Sequence, residues 1–485
     1  MKHKTINIES IASNQQCRLD SKYHIFMNGA KKSAFNVESP VIPLREILKP
    51  IKIAKIGKGD LNEDKYLVNI SDQEAGTGIL NENNICLVDN IGSDKNLLSG
   101  CDIFASKLGM SRGYIYLCPN KDMEVIGSTE YIPYLLLDSP SRKLFYLFLL
   151  LNPKMLSAYA CVETGKTPSH RRVNVDDLLK IQIPLVASQT IDSIIPRIKD
   201  NLKRISRLNS QILSTQSIID DVFSREFGFD YAKFEELKTH KRFMVNVPAF
   251  ANNPDLRFSA KFHREAGAFV MEQLQGITSK KIKHYLAEPI ALGVSVSPSD
   301  FDESGSAYYV SMASIKTLEI ELDDTQLLSD NYFNEKQSKT LKLGDIVIAR
   351  SGVAIGKTAL VKDEFDGVFA DFTMRIRLSN YTPMFAYYYF RTKYFQYLIE
   401  VHKKGLQNQN IFPVVVREFP LPDIALAEQQ RIVDKIKAEI EHQDTTKATI
   451  ANLRGQIDAI IENALIRKSD EQDCRQDDNK SLLFE

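Results

Sequence analysis

The sequence predicts an α+β fold in which two repeated mixed α/β domains are separated by two long helices packed as an antiparallel coiled coil. Three observations predict it. Motifs recur about 240 residues apart, short β-branched and aromatic runs precede each helix, and apolar residues follow alternating spacings of four and three within each helix. A repeat of this length indicates a protein that performs one task twice, on two related targets.

The repeat consists of three pairs of segments whose order is the same in both halves. Their offsets along the chain are 239, 242 and 243, and chance produces one such match far more easily than three in order. The pairs are RLDSKYH at 18–24 with RFSAKFH at 257–263, YLVNI at 66–70 with YYVSM at 308–312, and Asp102-Ile103 with Lys107, Gly109 and Gly113 matching Asp345-Ile346 with Arg350, Gly352 and Gly356.

Length and composition place the chain among globular proteins. Its 485 residues are enough for about two to four domains, and its hydrophobic content of 43% and charged content of 26% are ordinary. The 62 basic and 62 acidic residues cancel, which counts against a protein that coats DNA through general positive charge. Positive charge concentrated in two clefts and offset elsewhere remains compatible with this balance.

Cysteine use and hydropathy predict the compartment. The six cysteines form no CxxC pair and no metal-ligand spacing with histidine, which is typical of a reducing cytoplasm. The most apolar run, Leu144–Leu151, has eight residues and is too short to cross a bilayer. We therefore expect a cytoplasmic protein with no membrane segment.

Each half has the same internal order, and this order sets the expected boundaries. Strand-like runs such as 65–70 and 345–349 fill the first part, a Pro-bearing strand end follows, and a helical segment closes the half. The expected segments are a first domain at 1–186, a helical spacer at 187–228, a linker at 229–245, a second domain at 246–424, a second helical spacer at 425–467 and a disordered polar tail at 468–485.

The two helical spacers carry coiled-coil seams. The first has polar positions at Asn209 and Gln216 and a proline at Pro196, which we expect to start or kink the helix; the second departs from heptad spacing between Gln443 and Thr446. The economical arrangement is that the two helices pack on each other, although each folding back on its own domain is the alternative. The seam residues expected at this contact are Ile195, Ile198, Leu202, Ile205 and Ile212 in the first helix and Ile436, Ile440, Ile450 and Ile457 in the second.

One segment imitates a nucleotide-binding loop. Residues 351–358 end in Gly-Lys-Thr, but the P-loop pattern requires glycine where Ser351 stands. The repeat partner at 108–114 has no Lys-Thr, and the halves share only Asp-Ile, a basic residue and two glycines four residues apart. We therefore predict a strand, a tight turn and a second strand, with Lys107 or Arg350 at the turn. An ATP-binding enzyme remains the rival interpretation.

Other catalytic signatures are missing from the sequence. It has no Asn/Asp-Pro-Pro-aromatic motif for amino methylation, no Gly-rich cofactor loop after a first strand and no His/Cys/carboxylate cluster with metal spacing. Only His24 and His263 recur in register, and their aromatic neighbours favour a structural hydrogen bond over a catalytic base. We expect a chain with no catalytic residues, no metal and no cofactor of its own.

Two polar loops occupy matching places before the Pro-bearing strands. Residues 165–172 read GKTPSHRR, and residues 403–410 read KKGLQNQN. Arginine suits bidentate contacts to guanine, glutamine and asparagine suit adenine, and lysine and serine suit phosphate. Two domains of one fold that read different short sequences fit this pattern, and two solvated surface loops fit it equally well.

Taken together, the chain resembles the specificity subunit of type I restriction-modification enzymes. The likeness rests on residues 18–24, on the turn GDIVIARSG that begins at Gly344, and on the stretch from Phe419 through Val433 that leads into the second helix. It covers nearly the whole chain, to about residue 466. The first half departs from the family at 187–191, where ASQTI replaces a Glu-Gln-rich helix entry, and at Cys101, which interrupts the Gly-Asp-Ile turn.

The resemblance implies two target-recognition domains, each gripping one half of a split site in double-stranded DNA, with the helices as a ruler between them. It also implies two methyltransferase subunits that hold S-adenosylmethionine and a motor-endonuclease subunit that uses ATP and Mg²⁺. The candidate DNA-binding residues are Lys107, Ser111, Arg112, His170, Arg171 and Arg172 in the first half, and Arg350, Lys357, Lys403, Lys404, Gln407, Asn408 and Asn410 in the second.

Two further alternatives stay open. The chain could serve a methylation-only or other phage-defence system, with the same DNA role. It could also be a coiled-coil adaptor that joins two proteins and does not bind DNA.

Overall fold

The computed structural model describes residues 20–27, 33–35, 39–165, 167, 170–248, 259, 261–316, 319–323, 325–405 and 409–466. It divides into two compact units, of which unit 1 comprises Met1–Gln211 with Ala448–Glu485 and unit 2 comprises Ile212–Lys447. Part of the first repeated motif (18–19, 257–258 and 260), the candidates Gln407 and Asn408, and the expected tail at 468–485 lie outside the described residues.

Unit 1 contains most of its strands in two sheets. The elements in chain order are α1 Ser21–Met27, β1 Val41–Pro43, β2 Leu48–Pro50, β3 Lys55–Ile56, β4 Gly59–Val68, β5 Cys86–Ile91, β6 Lys95–Leu97, β7 Ile103–Ser106, β8 Ile115–Leu117, β9 Val125–Ser128, β10 Tyr131–Leu136, α2 Lys143–Leu151, α3 Pro153–Val162, β11 Glu163–Thr164, β12 Arg172–Val173, α4 Val175–Leu178, β13 Gln182–Pro184 and α5 Ser188–Asn209. The four-stranded sheet has the order β2-β10-β7-β8 and the five-stranded sheet the order β3-β6-β9-β4-β5, while β1-β13 and β11-β12 are two-stranded.

Unit 2 repeats this plan in a shorter form. Its elements are α6 Thr215–Phe227, α7 Tyr231–Thr239, α8 Glu265–Ile277, β14 Ala291–Leu292, β15 Ala307–Val310, β16 Leu327–Leu328, α9 Asp330–Glu335, β17 Ile346–Ala349, β18 Thr358–Leu360, β19 Gly367–Phe369, β20 Thr373–Ile376, α10 Pro383–Arg391, α11 Lys393–His402, α12 Pro413–Val416 and α13 Leu426–Ile466. The sheets have the orders β14-β20-β17-β18 and β16-β15-β19, and α13 continues past Lys447 into the part of the chain that belongs to unit 1.

The sheet topology confirms the predicted repeat. The antiparallel order β2-β10-β7-β8 in unit 1 matches β14-β20-β17-β18 in unit 2. Strands β4 and β9 pair in parallel with Tyr66 opposite Val125, and strands β15 and β19 pair in parallel with Tyr308 opposite Gly367. Tyr308 follows Tyr66 by 242 residues, and Gly367 follows Val125 by the same number. This is also the offset between YLVNI and YYVSM in the sequence. The two units therefore contain two copies of one mixed domain.

The aspartate of the repeated Asp-Ile motif stabilises the fold in both units. In unit 1, Asp102 accepts a hydrogen bond from the backbone of Leu136 (2.9 Å) and forms an ion pair with Lys143 (2.5 Å). In unit 2, Asp345 is buried and forms an ion pair with Arg377 (2.6 Å). The motif recurs because this strand end requires a paired carboxylate at the same place in each copy.

The first helical segment differs from the continuous helix that the seam predicts. It consists of α5 and α6, with a break between Asn209 and Thr215. The side chain of Ser214 caps α6 by accepting the backbone N–H of Ser217 (3.0 Å). The buried side chain of Gln443 accepts the N–H of Leu213 (3.0 Å), so the polar seam position in α13 supplies the hydrogen bond that the break requires.

Of the two expectations for Pro196, that it starts the helix is wrong, because α5 begins at Ser188 and contains the proline. The expected linker contains the helix α7, whose Phe234 is buried in the core of unit 2. Sequence spacing missed this short helix because its nine residues carry little apolar periodicity.

The segment expected as the second spacer, 425–467, contains the helix α13, Leu426–Ile466. In unit 2, Glu226 at the end of α6 contacts Arg431 near the start of α13, whereas Leu213 before α6 contacts Gln443 further along α13. The helix α6 and this part of α13 are therefore antiparallel. In unit 1, α5 and residues 456–463 of α13 line one groove. Of the expected seam residues, Ile195, Ile198, Ile205, Ile436, Ile450 and Ile457 are buried, while Leu202, Ile212 and Ile440 are half-buried.

No single helix among the described residues combines the length and apolar composition of a membrane span. The bent pair Pro140–Leu151 and Pro153–Val162 reaches that composition jointly, across an angle of 63°. The apolar side chains from Phe145 to Leu151 are buried in unit 1, as in the core helix of a folded domain.

Candidate nucleic-acid interface

The repeated glycines form the same tight turn in both units. Each turn lies between two antiparallel strands, β7 and β8 in unit 1 and β17 and β18 in unit 2. All four glycines have left-handed backbone angles, with φ of 61° and 87° at Gly109 and Gly113 and of 73° and 89° at Gly352 and Gly356. Glycine adopts this region without a Cβ penalty, which explains why it recurs.

This geometry argues against a nucleotide-binding loop at residues 351–358. A P-loop leads into an α-helix, whose N-terminus receives the phosphates. Here Thr358 begins strand β18 and its buried hydroxyl donates to the carbonyl of Gly356 (2.9 Å). The sequence therefore forms the predicted strand–turn–strand, and its resemblance to a P-loop is coincidental.

The structure brings each turn together with the polar loop that follows it in the same unit. In unit 1 the N–H of Gly109 donates to the carbonyl of Arg171 (2.9 Å), and Leu108 pairs with Arg172 as a β-bridge. In unit 2 the N–H of Gly352 donates to the carbonyl of Gln409 (3.3 Å). A bridge between residues 351 and 410 completes the same contact. We call these two arrangements turn–loop site 1 and turn–loop site 2.

In turn–loop site 1 the basic side chains differ in how much they are engaged. Arg172 forms an ion pair with Glu130 (2.9 Å), and this hydrogen bond holds the pKa of the guanidinium above its ordinary value. Arg171 is exposed, and among the described residues its side chain has no hydrogen-bond or ion-pair partner. Lys107 is half-buried, and its carbonyl accepts the N–H of Val173 (3.0 Å).

The remaining candidates of site 1 have contacts within the protein. The hydroxyl of Ser111 donates to the buried carboxylate of Glu163 (2.9 Å), which also accepts the Ser111 N–H (2.8 Å). The guanidinium of Arg112 lies over the ring of Tyr114, 5.4 Å from its centroid. The imidazole of His170 contacts the hydroxyl of Thr167 (2.8 Å). Ser111 therefore has a structural hydrogen bond at the position where we expected a base or phosphate contact.

Turn–loop site 2 is built around Arg350. Its Nε donates to the carbonyl of Asp371 (2.7 Å), and its guanidinium contacts the side-chain oxygen of Asn410 (3.4 Å). Lys404 and Asn410 exchange both backbone hydrogen bonds at 2.7 Å, which closes the polar loop. These contacts fix the orientation of Arg350 at the end of strand β17.

Two lysines of site 2 differ in whether their side chains are already paired within the protein. Lys357 is exposed, and in the described part of the chain its side chain has no partner. Lys403 forms an ion pair with Glu400 (2.5 Å), and Glu400 also pairs with Lys261 (2.6 Å). An unpaired exposed lysine at a turn is suited to a phosphate contact, whereas Lys403 is already engaged.

Sequence analysis missed several members of these sites. Glu130 and Glu163 hold candidate residues of site 1, and Phe372 lies beside Arg350 in site 2. No local motif marks them, because they lie outside the two glycine turns: Glu130 and Phe372 directly precede strands β10 and β20, and Glu163 begins β11. The backbone shows that Glu130 and Phe372 are equivalent: the carbonyl of Glu130 accepts the N–H of Lys107 (2.9 Å), as the carbonyl of Phe372 accepts that of Arg350 (2.9 Å).

One known family matches part of the chain. Residues 291–454 match the family described as "Type I restriction modification DNA specificity domain". Over these residues the chain is similar to that specificity domain. The matched range includes turn–loop site 2 and α13 as far as Arg454.

Solved structures of such proteins are similar to this chain at low identity. One, from work on complex assembly and conformational transition of the type I R-M system, is 14% identical, with a TM-score of 0.49 over 89% of this chain and 99% of that chain. A type I S subunit from M. genitalium is 12% identical, with a TM-score of 0.38 over 89% and 97%. The HsdS subunit from Thermoanaerobacter tengcongensis is 14% identical, with a TM-score of 0.37 over 88% and 96%. No curated protein matches the sequence.

Proposed function

We propose that this chain is the DNA sequence-specificity subunit of a type I restriction-modification complex. Each unit reads one half of a bipartite site in double-stranded DNA, through its own turn–loop site. The subunit itself has no catalytic role. It determines where the modification and restriction subunits act.

The observation that carries this proposal is the double construction of the turn–loop site. Residues far apart in sequence, such as Gly109 and Arg171, meet at the same backbone contact that joins Gly352 to Gln409. The frame is the same, but the side chains presented differ in charge and hydrogen-bonding type. A protein that reads two different short sequences with one fold requires this combination, because base edges in the major groove differ in their donors, acceptors and methyl groups.

The partners follow from the same function. We propose that two methyltransferase subunits bind the chain and hold S-adenosylmethionine, and that motor-endonuclease subunits bring ATP and Mg²⁺. Among the described residues no group of three or more His, Cys, Asp or Glu side chains is placed to hold a metal ion. DNA is the substrate of the assembly, and we expect the assembly to act in the cytoplasm.

The helices α5, α6 and α13 are proposed to set the spacing between the two half-sites. Their seams are apolar and the buried polar side chain of Gln443 is hydrogen-bonded, so we expect them to form a stiff spacer rather than a flexible linker. A fixed spacing makes the gap in the DNA site constant, and the sequence within the gap is then not read.

The test is long-read mapping of methyladenine in DNA from cells that co-express this chain with its neighbouring methyltransferase. The expected result is a new split motif, with two short specific halves around a gap of constant length. A chain variant with Lys362→Ala is a suitable control, because Lys362 pairs with Glu319 on the surface of unit 2 and belongs to neither site. Soluble, associated proteins that produce no new methylation would contradict the proposal and favour a coiled-coil adaptor.

A further inference from the structure

Two large apolar side chains are exposed beside Arg350 in turn–loop site 2. Val353 lies in the turn with a relative exposure of 108%, and Phe372 precedes β20 with a relative exposure of 54%. Single exposed apolar residues are ordinary on protein surfaces. A pair in the same site as the candidate base-reading arginine has a more specific implication.

The backbone fixes this placement. Strands β17 and β20 pair with Ala349 opposite Thr373, and the next hydrogen bond joins the N–H of Arg350 to the carbonyl of Phe372 (2.9 Å). Arg350 and Phe372 are therefore neighbours across the end of the sheet. Val353 follows Gly352, whose N–H is bonded to the polar loop (3.3 Å). Both apolar side chains thus belong to the same site as Arg350.

At the position of Phe372, unit 1 has a paired carboxylate. The N–H of Lys107 donates to the carbonyl of Glu130 (2.9 Å), just as the N–H of Arg350 donates to Phe372. Glu130 forms an ion pair with Arg172 (2.9 Å). The fold of the sheet end is therefore compatible with a charged residue, and it does not require an aromatic ring there.

At the position of Val353, unit 1 has a core residue. Val353 follows the first glycine of its turn, and the residue that follows the first glycine in unit 1 is Met110, which is buried. An apolar residue is explained by packing in unit 1 but not in unit 2, since Val353 is fully exposed. Unit 2 thus presents apolar surface at two places where unit 1 presents none.

We propose that Val353 and Phe372 contact the C5-methyl group of thymine in the major groove of the second half-site. This inference rests on the proposed function. The thymine methyl is the apolar feature of the major-groove edges, and apolar side chains recognise it there. Arg350 belongs to the same site, next to Phe372 across the sheet end, and its guanidinium can donate to an adjacent base or phosphate. The second half-site is therefore expected to include thymine beside the position that Arg350 contacts.

The test uses the full chain with its methyltransferase subunit and duplexes that carry the mapped site. Each thymine of the second half-site is replaced in turn by uracil, which removes only the methyl group. For the unmodified protein we expect at least one replacement to weaken binding about fourfold, the loss that corresponds to one buried methyl. Val353→Ser or Phe372→Ser should abolish the difference between thymine and uracil at that position.

Leu343→Ser is the matched control, because Leu343 is also exposed in unit 2 but precedes strand β17, at the end away from Arg350. It should leave the uracil effect unchanged. Thermal melting of all three variants checks that they fold. We expect them to fold because all three substituted side chains are exposed.

Three results would overturn the inference: a second half-site without thymine, a uracil effect that is absent in the unmodified protein, or an effect that persists in both serine variants. Loss of methyltransferase association with an unaltered uracil effect would assign the residues to a protein contact instead. Failure of the unmodified protein to bind any specific duplex would contradict the proposed function, and so the two failures are distinguishable.

Discussion

The two turn–loop sites share a backbone and differ in what surrounds the arginine. In site 1, Arg172 is held by a carboxylate, Glu130, while Arg171 beside it is exposed and has no side-chain partner among the described residues. In site 2, Arg350 is held by a backbone carbonyl and by Asn410, and its neighbour across the sheet is an exposed phenylalanine.

Under the proposed function, this difference would give one fold two specificities. The hydrogen bonds that build the site involve backbone atoms of the turn and the loop, as between Gly109 and Arg171, so side chains can change without loss of the frame. Charge in site 1 is partly cancelled within the protein, whereas site 2 combines charge with apolar surface. We therefore expect the two half-sites to differ in base composition and in their response to mutation.

The largest effect is expected from a change in the spacing between the two turn–loop sites. Inserting one heptad into α13 near Lys447 should abolish methylation of the original site, because both half-sites can no longer be read together. Each domain should remain folded, which thermal melting and circular dichroism would show. The control is an insertion of the same length near residue 475, beyond α13. Unchanged methylation with the α13 insertion would mean that the helices do not set the spacing.

Arg350→Ala should affect only the second half-site. Loss of a base-reading contact costs about 1–3 kcal/mol of binding free energy and relaxes one position of the motif. Competition binding with duplexes varied at single positions would measure both effects, with Lys362→Ala as control. Equal weakening on every duplex would identify Arg350 as a phosphate contact, and changes confined to the first half-site would contradict the assignment.

Within site 1 we expect the arginine without an ion-pair partner among the described residues to contribute more to DNA binding than the paired one. Arg171→Ala should weaken binding by about 1–3 kcal/mol, and Arg172→Ala by less, because Arg172 must first separate from Glu130 to contact DNA. Glu130→Gln removes the competing carboxylate and should bring the cost of Arg172→Ala closer to that of Arg171→Ala. The reverse order of the two alanine variants would show that the ion pair presents Arg172 rather than withholding it.

Lys357→Ala tests an expected phosphate contact of site 2. It should weaken binding to all sequences alike by about 1 kcal/mol and reduce the slope of log affinity against log salt by about 1. A salt titration of the variant and the unmodified protein measures this slope. Nucleotide titration should give no ATP binding for either protein, and ATP binding that Lys357→Ala abolishes would revive the P-loop interpretation.

The smallest expected effects are on protein stability as a function of pH. They come from two carboxylates at the helical contacts, one in each unit. In unit 1, burial and the nearby Glu462 raise the pKa of Asp458 from 3.8 to about 6. The folded state thus binds a proton more tightly than the unfolded chain, so ionised Asp458 destabilises unit 1 above pH 6 and less so as pH falls towards 3.8. Asp458→Asn should stabilise the protein by about 1 kcal/mol at pH 7.5 and by about half as much at pH 5.

Glu226 in unit 2 provides the opposite case. Hydrogen bonds from Arg431 and Lys435 lower its pKa from 4.5 to about 2, so its ionised form stabilises unit 2 above pH 4.5 and this contribution is lost as pH falls towards 2. Glu226→Gln should therefore lower the melting temperature at neutral pH. Melting curves at pH 7.5 and 5 in which both variants shift in the same direction would contradict the two assignments.

Much of the fold was predictable because it depends on periodic or repeated signals. The repeat seen in the sequence reappears in strand registers, with Tyr66 opposite Val125 and Tyr308 opposite Gly367, and α13 follows its apolar seam. The break before α6 was not predictable, since Ile212 and Gln216 continue the spacing through it. Only the structure shows that Gln443 satisfies the N–H of Leu213.

The candidate sites were predicted as pieces rather than as assemblies. The glycine turns and the polar loops were each visible in the sequence. Residues 109 and 171 meet only because the strands and helices that separate them in the sequence fold between the two positions of the chain and bring them into contact. Partners that directly precede neighbouring strands, such as Glu130 and Phe372, have no local signature. Exposure of Val353 is likewise a property of the folded turn, because the same turn position in unit 1 holds the buried Met110.

The most direct test of independent reading is a pair of methylomes from cells that express Arg171→Ala/Arg172→Ala or Arg350→Ala with the methyltransferase subunit. The expected result is that the double variant relaxes only one half of the split motif and Arg350→Ala relaxes only the other, with the gap unchanged in both. If both variants altered the same half, or if neither altered the motif while methylation continued, the two turn–loop sites would not be the elements that read the DNA.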